Sequence, residues 1–278
     1  AVSTETRSLP GWLRSLLPPV VQAVADKELK YYFRDPAFKA SLVAMLYSFM
    51  VLGIMWLGLR HDFQTGDDLG SVTKTISALK DITLWLVVLF ATFSGNDFSS
   101  NIFGSEGVSA SVLFLFPGSR KQILFGKNLA YFVAVNVVNA GVLLLLAILT
   151  KRLPLYPVLL GCVLLGSLLV TAAGNLTSIW FPRPRVRRGE RGVQMSAGQG
   201  CGIALLSMLF NLLIVLCLLP VAAAFVVPLY WAPTWWLLVT VPLALGYATG
   251  LYLLSLRLAT PLLLQREEAI IQKLVPEE

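Results

Sequence analysis

Between Asn96 and Asn128 the chain reads NDFSSNIFGSEGVSASVLFLFPGSRKQILFGKN, and this stretch gathers the side chains with the most chemical potential. Glu106, Arg120, Lys121 and Lys127 supply charge, and Phe103, Val108, Val112, Leu115 and Phe116 recur between them at roughly helical spacing. A carboxylate and a guanidinium on such an element can orient a protein partner by charge-assisted hydrogen bonds, each contributing about 1.5–3 kcal/mol once desolvated. The apolar residues can pack as a helix laid in a groove. This is the chemistry of recognition, not of bond making. Catalytic patterns are missing. Gly126-Lys127 is followed by Asn128 and lacks the upstream glycine of a phosphate-binding loop, so the chain has no nucleotide site of that kind. His61 is the sole histidine, and Cys162, Cys201 and Cys217 form no Cys-x-x-Cys pair, which leaves no metal-ligand spacing. No paired carboxylates and no nucleophile elbow occur. The chain is expected not to be an enzyme by itself and to hold no cofactor.

The elements that must position this stretch are apolar. The chain is 56% hydrophobic and 13% charged with mean hydropathy +0.75, against a charged fraction near a quarter in soluble domains. The sequence predicts an all-α polytopic membrane protein with six transmembrane helices at about 38–59, 81–103, 128–150, 155–180, 203–226 and 235–256. Residues 1–19 form an N-terminal tail or linker, 60–80 the first external loop, 38–257 the six-span domain and 258–278 a cytoplasmic tail. No charge interrupts residues 192–256, and Pro228, Tyr230, Trp231, Pro233, Trp235 and Trp236 divide that run at an outer interface. Pro220 is expected to break the fifth span before the outer surface. Asn136 and Asn139 on span three should bond neighbouring helices, and Gly161, Gly166 and Gly174 on span four should permit close helix contact.

Pro117-Gly118 closes the stretch between spans two and three, and its basic exit suits the membrane surface on the cytoplasmic side, with one face open to a soluble partner. A solvated loop between two helices is the competing reading. Residues 20–35 predict a second amphipathic helix. Val21, Val24, Leu29, Tyr32 and Phe33 share one stripe, expected in lipid, and Lys27, Lys30 and Arg34 share another, expected at anionic headgroups. Asp35-Pro36 should end it. Arg183, Arg185, Arg187, Arg188 and Arg191 cluster between spans four and five. With both termini inside, only Arg60, Lys74, Lys80, Lys151 and Arg152 lie outside, and the other 17 of the 22 Lys and Arg lie inside. That asymmetry predicts an integral plasma (inner) membrane protein with cytoplasmic termini. The net charge of +7 is then matched by membrane lipids, and no aromatic interleaving supports nucleic acid.

Glu106-Gly107, Phe116-Pro117, Arg120, Leu124 and Gly126-Lys127 together resemble the intracellular segment of type-2 ABC exporter permeases, although Val108-Ser109-Ala110-Ser111 stands where that family carries a further acidic run. The phrase Lys27-Glu28-Leu29 to Arg34-Asp35-Pro36 is similar to the family's cytoplasmic connecting helix, with Lys27, Glu28, Lys30 and Arg34 as its charged members. The resemblance covers about residues 20–257. It implies that the segment from Ser105 to Lys121 is a coupling helix docking on an ATPase subunit through Glu106, Val108, Val112, Leu115, Arg120 and Lys121. It implies that ATP and Mg are bound by that partner, and that a second permease half, as a homodimer, a heterodimer or a fused half, completes the transporter. By the same resemblance spans two and five line the route, which nominates Phe93, Asp97, Asn211 and Leu218; lipid-facing or intra-subunit packing is the alternative for these four. Acidic groups are absent from every span but the second, so the energy source is expected outside the chain. The implied function is a permease moving a hydrophobic or amphiphilic substrate. The alternative from another class is a structural or assembly membrane protein without transport.

Overall fold

The computed structural model describes residue 11 and residues 15–61, 70–106, 109–115, 118–183 and 197–274, and among these there are helices and no strands. Helix α1 (Pro19–Arg34) and α2 (Pro36–His61) are followed by α3 (Gly70–Phe93), the single turn α4 (Asn96–Ser99) and the short α5 (Ser109–Leu115). The long helices α6 (Arg120–Leu149), α7 (Tyr156–Trp180), α8 (Ala197–Tyr230) and α9 (Leu237–Leu274) complete the bundle, with short 3₁₀ turns at Leu153–Leu155 and Thr234–Trp236. Five segments are long and apolar enough to cross a membrane: Ile82–Ser99, Arg120–Leu149, Leu153–Trp180, Ser207–Tyr230 and Thr234–Gln272. The first expected span corresponds to α2, whose described apolar stretch runs from Phe38 to Val51.

The main core forms where α7 is enclosed by α3, α6, α8 and α9. Val163 and Val170 of α7 are buried against Val87 and Ala91 of α3, Leu143 of α6, Val221 and Phe225 of α8, and Ala248 of α9. Small residues set the spacing. A Cβ on Gly166 would lie 2.7 Å from the Thr92 methyl, and one on Gly174 would lie 2.6 Å from the Ser99 backbone oxygen. Three asparagines inside the bundle bond between helices, where a low-dielectric interior favours it. Asn136 donates to Ser167 at 2.9 Å, Asn139 to the Ala91 carbonyl at 3.1 Å, and Asn128 to Asn175 at 2.8 Å. Large apolar side chains on α2, α8 and α9, among them Tyr47, Met50, Met208, Leu212, Leu238 and Leu243, face outward, as they do where lipid is the solvent.

Several sequence expectations change. Residues 70–80, expected in an external loop, begin α3, because a helix continues past the hydrocarbon once its backbone bonds are made internally. Helix α3 ends at Phe93 and the apolar segment at Ser99, short of Phe103: Ser94 and Gly95 turn the chain, and residues 100–106 are turns. Pro220 does not interrupt α8, which runs unbroken to Tyr230 with both Pro220 and Pro228 inside it. Neighbouring helices and local adjustment re-satisfy the freed carbonyls in such spans. Span six does not stop at Arg257; α9 continues to Leu274, and its 38 residues extend about 57 Å, well beyond the ~30 Å hydrocarbon layer. At the opposite end, Lys151 takes a left-handed φ of 57° in the tight turn between α6 and α7.

The amphipathic helix α1 forms as its periodicity dictates and stops at Arg34, where Asp35 turns to an extended conformation before Pro36. Its apolar stripe, however, lies on protein and not in lipid. Val21, Val24, Ala25, Leu29 and Tyr32 are buried, and Phe33 alone of the expected stripe is left 59% exposed. The receiving surface is α6. A Cβ on Gly126 would fall 2.9 Å from Val24 Cβ, so this glycine is where the two helices touch. Tyr32, Phe38 and Phe98 then stack as an aromatic wedge, with ring centroids 4.9 Å (Tyr32 to Phe38) and 5.1 Å (Phe38 to Phe98) apart.

Candidate functional site

The short helix α5 sits at the end of the bundle where α6 begins and α7 ends. Leu113 and Phe114 turn inward onto Phe103, Leu256, Leu263 and Ile270, and the Phe103 and Phe114 rings stack at 5.8 Å. Val112 and Leu115 point the other way, 69% and 83% exposed. Seven residues are too few for a helix to persist alone in water, so α5 depends on these tertiary contacts. Arg120 fastens its C-terminal end. The guanidinium donates to the Phe114 carbonyl at 2.8 Å and lies 5.7 Å over the Phe114 ring. It also makes a two-pronged ion pair with Glu267 on the extension of α9, the Nη2 to Oε2 arm being 3.1 Å. Nearby, Arg266 stacks 3.8 Å over the Trp180 ring at the end of α7. The part of α9 beyond the hydrocarbon is thus a brace beneath α5. Lys121, one residue on, is exposed.

Glu106 occupies the other side of this end, but not on the aqueous surface expected of an orienting residue. Its side chain is 8% exposed and accepts from Lys127 at 2.5 Å and from Lys27 at 2.8 Å. Lys127 has no exposure at all and donates a second bond, 2.8 Å long, to Glu28, itself 3% exposed. One buried ammonium therefore joins three elements: Glu28 from α1, Glu106 from the turns after α4, and α6, which carries the lysine. Lys27 closes the cluster from the solvent side, 49% exposed and 3.6 Å from Glu28. Gly126 and Lys127 act together here, the glycine admitting α1 to contact distance and the lysine receiving its carboxylate.

The charges of the cluster are tuned in opposite directions. Burial would raise the Glu106 carboxyl, but Lys127, a hydrogen bond with Glu28, and Lys27 outweigh it and hold Glu106 well below the usual carboxylate range. For Glu28, burial raises the carboxyl above that range; the Lys127 ammonium opposes this and the Glu106 carboxylate adds to it. Removing one partner from such a buried cluster leaves an uncompensated charge, which is the strongly destabilising case.

The remaining expected site residues fall as follows. Val108 lies outside the described residues. Lys30 is half-buried and Arg34 exposed on α1. Of the four pathway nominees, Asp97 is exposed, Phe93 packs half-buried against the main core, and Leu218 is buried within the bundle, next to Gly166 of α7. Asn211 accepts a 2.9 Å hydrogen bond from Asn96, so the ends of spans two and five meet there. Sequence reasoning did not find the pairing of Lys127 with Glu28, 99 residues away, or of Arg120 with Glu267, 147 residues away. The usable signal for the first was a lysine at the eighth position of a helix that carries no further charge beyond it. A charge so placed requires a counter-charge, although spacing cannot say which. Among the described residues no group of His, Cys, Asp and Glu could hold a metal ion.

Fold and site together define an all-α polytopic membrane protein, with a short helix and an ion-pair cluster at one end of its bundle. No known protein family, curated protein or solved structure matches the chain.

Proposed function

We propose that the chain is the membrane subunit of an ATP-driven exporter, with α5 as the element that docks on a separate ATPase. The observation that carries this reading is the construction of α5. A helix too short to stand alone is held by Arg120, Glu267 and the Phe103–Phe114 stack, and it still presents Val112 and Leu115 outward. The exposed apolar pair, with the exposed Lys121 six residues on from Leu115, suits a groove on a soluble protein. Glu106 and Arg120 serve this face indirectly: both are committed to internal ion pairs that fix where α5 stands, and neither is left to reach a partner.

In this reading ATP and Mg belong to the partner, six spans include α2, and both termini are cytoplasmic. A second permease half completes a route for a hydrophobic or amphiphilic substrate. Asp97 and Asn211 remain the route candidates with polar side chains near the bundle end. The test is co-expression with an ATPase encoded beside this chain, followed by purification through a tag on the permease. Retention of the ATPase by the parent and its loss in Leu115→Asp is the expected result. Equal retention by both removes α5 as the docking element.

A further inference from the structure

At the same end of the bundle, a small polar cavity of about 20 Å³ opens between the segment after α3, the end of α7 and α8. Its polar walls are Asn96, Ser100, Thr177, Arg183, Ser207 and Asn211 beside the apolar Phe181, Phe210 and Ile214, and among the described residues no carboxylate lines it. Arg183 enters from a fixed backbone. Asn101 donates its amide to the Arg183 carbonyl at 2.8 Å and accepts from the Arg183 N–H at 2.9 Å, which pins the residue just past the end of α7. The Nε atom of Arg183 is shielded from solvent and has no hydrogen-bond partner. A shielded guanidinium N–H without a protein acceptor leaves a donor available to whatever oxygen enters the cavity.

We infer that this cavity binds an oxygen of a phosphate group, carried by an anionic phospholipid headgroup or by free phosphate. Three walls can donate to it: Arg183 through Nε–H, Asn211 through the amide N–H left over once its oxygen accepts from Asn96, and Ser207 through its hydroxyl. The volume admits about one water-sized group, so one phosphate oxygen enters and the rest of the headgroup stays at the mouth. Arginine favours this ligand because its rigid donors match phosphate oxygens. The position at the end of the membrane-crossing helices is where headgroups are found. The assignment does not depend on the exporter reading, since it concerns lipid or phosphate held by the bundle whatever the bundle transports.

The test is a titration of the full chain in detergent with phosphatidylglycerol and with diacylglycerol, which has the same tails and no phosphate, read by native mass spectrometry. The parent is expected to hold one phosphatidylglycerol about tenfold more tightly than diacylglycerol. Arg183→Gln and Ser207→Asp should each abolish that preference, the second by setting a carboxylate in the cavity. Lys39→Gln, which removes an exposed cation on α2, should keep it. Displacement of phosphatidylglycerol by millimolar inorganic phosphate would identify the free ion as sufficient, and resistance to it would identify the lipid. If the parent shows no preference, if both cavity variants keep it, or if Lys39→Gln loses it equally, the site is wrong. Should Arg183→Gln fail to fold, Ser207→Asp decides alone.

Discussion

Lys127 has no contact with solvent, and an ammonium in that position is tolerable only because Glu28 and Glu106 both accept from it. Lys127→Met would leave the buried Glu28 and Glu106 with only the half-exposed Lys27 as counter-charge. It is expected to cost about 3–5 kcal/mol, seen as a lowered unfolding midpoint of the purified protein in nanodiscs; an unchanged midpoint would show the cluster to be dispensable. The same cluster sets a pH dependence. Glu106 is held below its ordinary value in the folded state, so the unfolded chain binds the proton more readily, and stability from Glu106 is present above the ordinary carboxylate pKa of about 4.3. That contribution is lost as pH falls below this value. The gap in unfolding midpoint between the parent and Glu106→Gln should therefore be widest near neutrality and begin to narrow as pH falls from about 4.3 towards pH 3. A gap that stays constant across that range would contradict the assignment. Glu106→Arg places a third cation beside Lys27 and Lys127, so it should impair folding and cannot serve as a clean probe of partner docking.

Among the elements, close approach is concentrated at a few glycines, which makes their substitutions diagnostic. Gly174→Ala would drive a methyl into the Ser99 backbone and should destabilise the bundle by about 1–3 kcal/mol, the usual cost of overpacking. Gly141→Ala on α6 meets nothing within 4 Å and should be neutral or stabilising by up to about 1 kcal/mol, from helix propensity alone. Equal effects in a thermal-unfolding comparison would mean that α7 does not sit against the segment after α3 as described. The glycines show what was legible. Periodicity placed α1 and the apolar segments, Asp35-Pro36 placed the end of α1, and Gly166 and Gly174 were recognisable as contact points. Which surface received the α1 stripe was not legible, because lipid and a neighbouring helix select for the same apolar residues. The inward turn of Glu106 was equally hidden. A glutamate between two serine-containing stretches reads as hydrated until the fold brings Lys127 to it. Pro220 misled for a related reason: the rule for helix breaking is calibrated where water competes for the freed carbonyl, and inside a bundle it does not.

For the whole molecule, the Lys and Arg asymmetry predicts that the end bearing α5, Lys127 and Arg183 is cytoplasmic. Cysteines placed singly at Gln64 and Gly189, both outside the described residues, in a chain whose Cys162, Cys201 and Cys217 are replaced by Ser, test this by labelling intact cells with an impermeant maleimide. The Gln64 site should react and the Gly189 site should not, and the opposite pattern would invert the molecule. That orientation puts α5 where a soluble ATPase can reach it, while the α9 extension and the Glu28–Lys127–Glu106 cluster hold the platform from two sides. A push on α5 would then pass through Phe114 and Arg120 into the first turns of α6, and through Glu106 into α1. The most direct measurement of this account is ATP hydrolysis by the chain and its ATPase reconstituted together in nanodiscs, compared between the parent and Leu115→Asp. The account predicts that the parent stimulates hydrolysis, and that Leu115→Asp inserts and unfolds like the parent, because that side chain is 83% exposed, yet does not stimulate it. Stimulation by Leu115→Asp equal to that of the parent, at equal assembly, would contradict it.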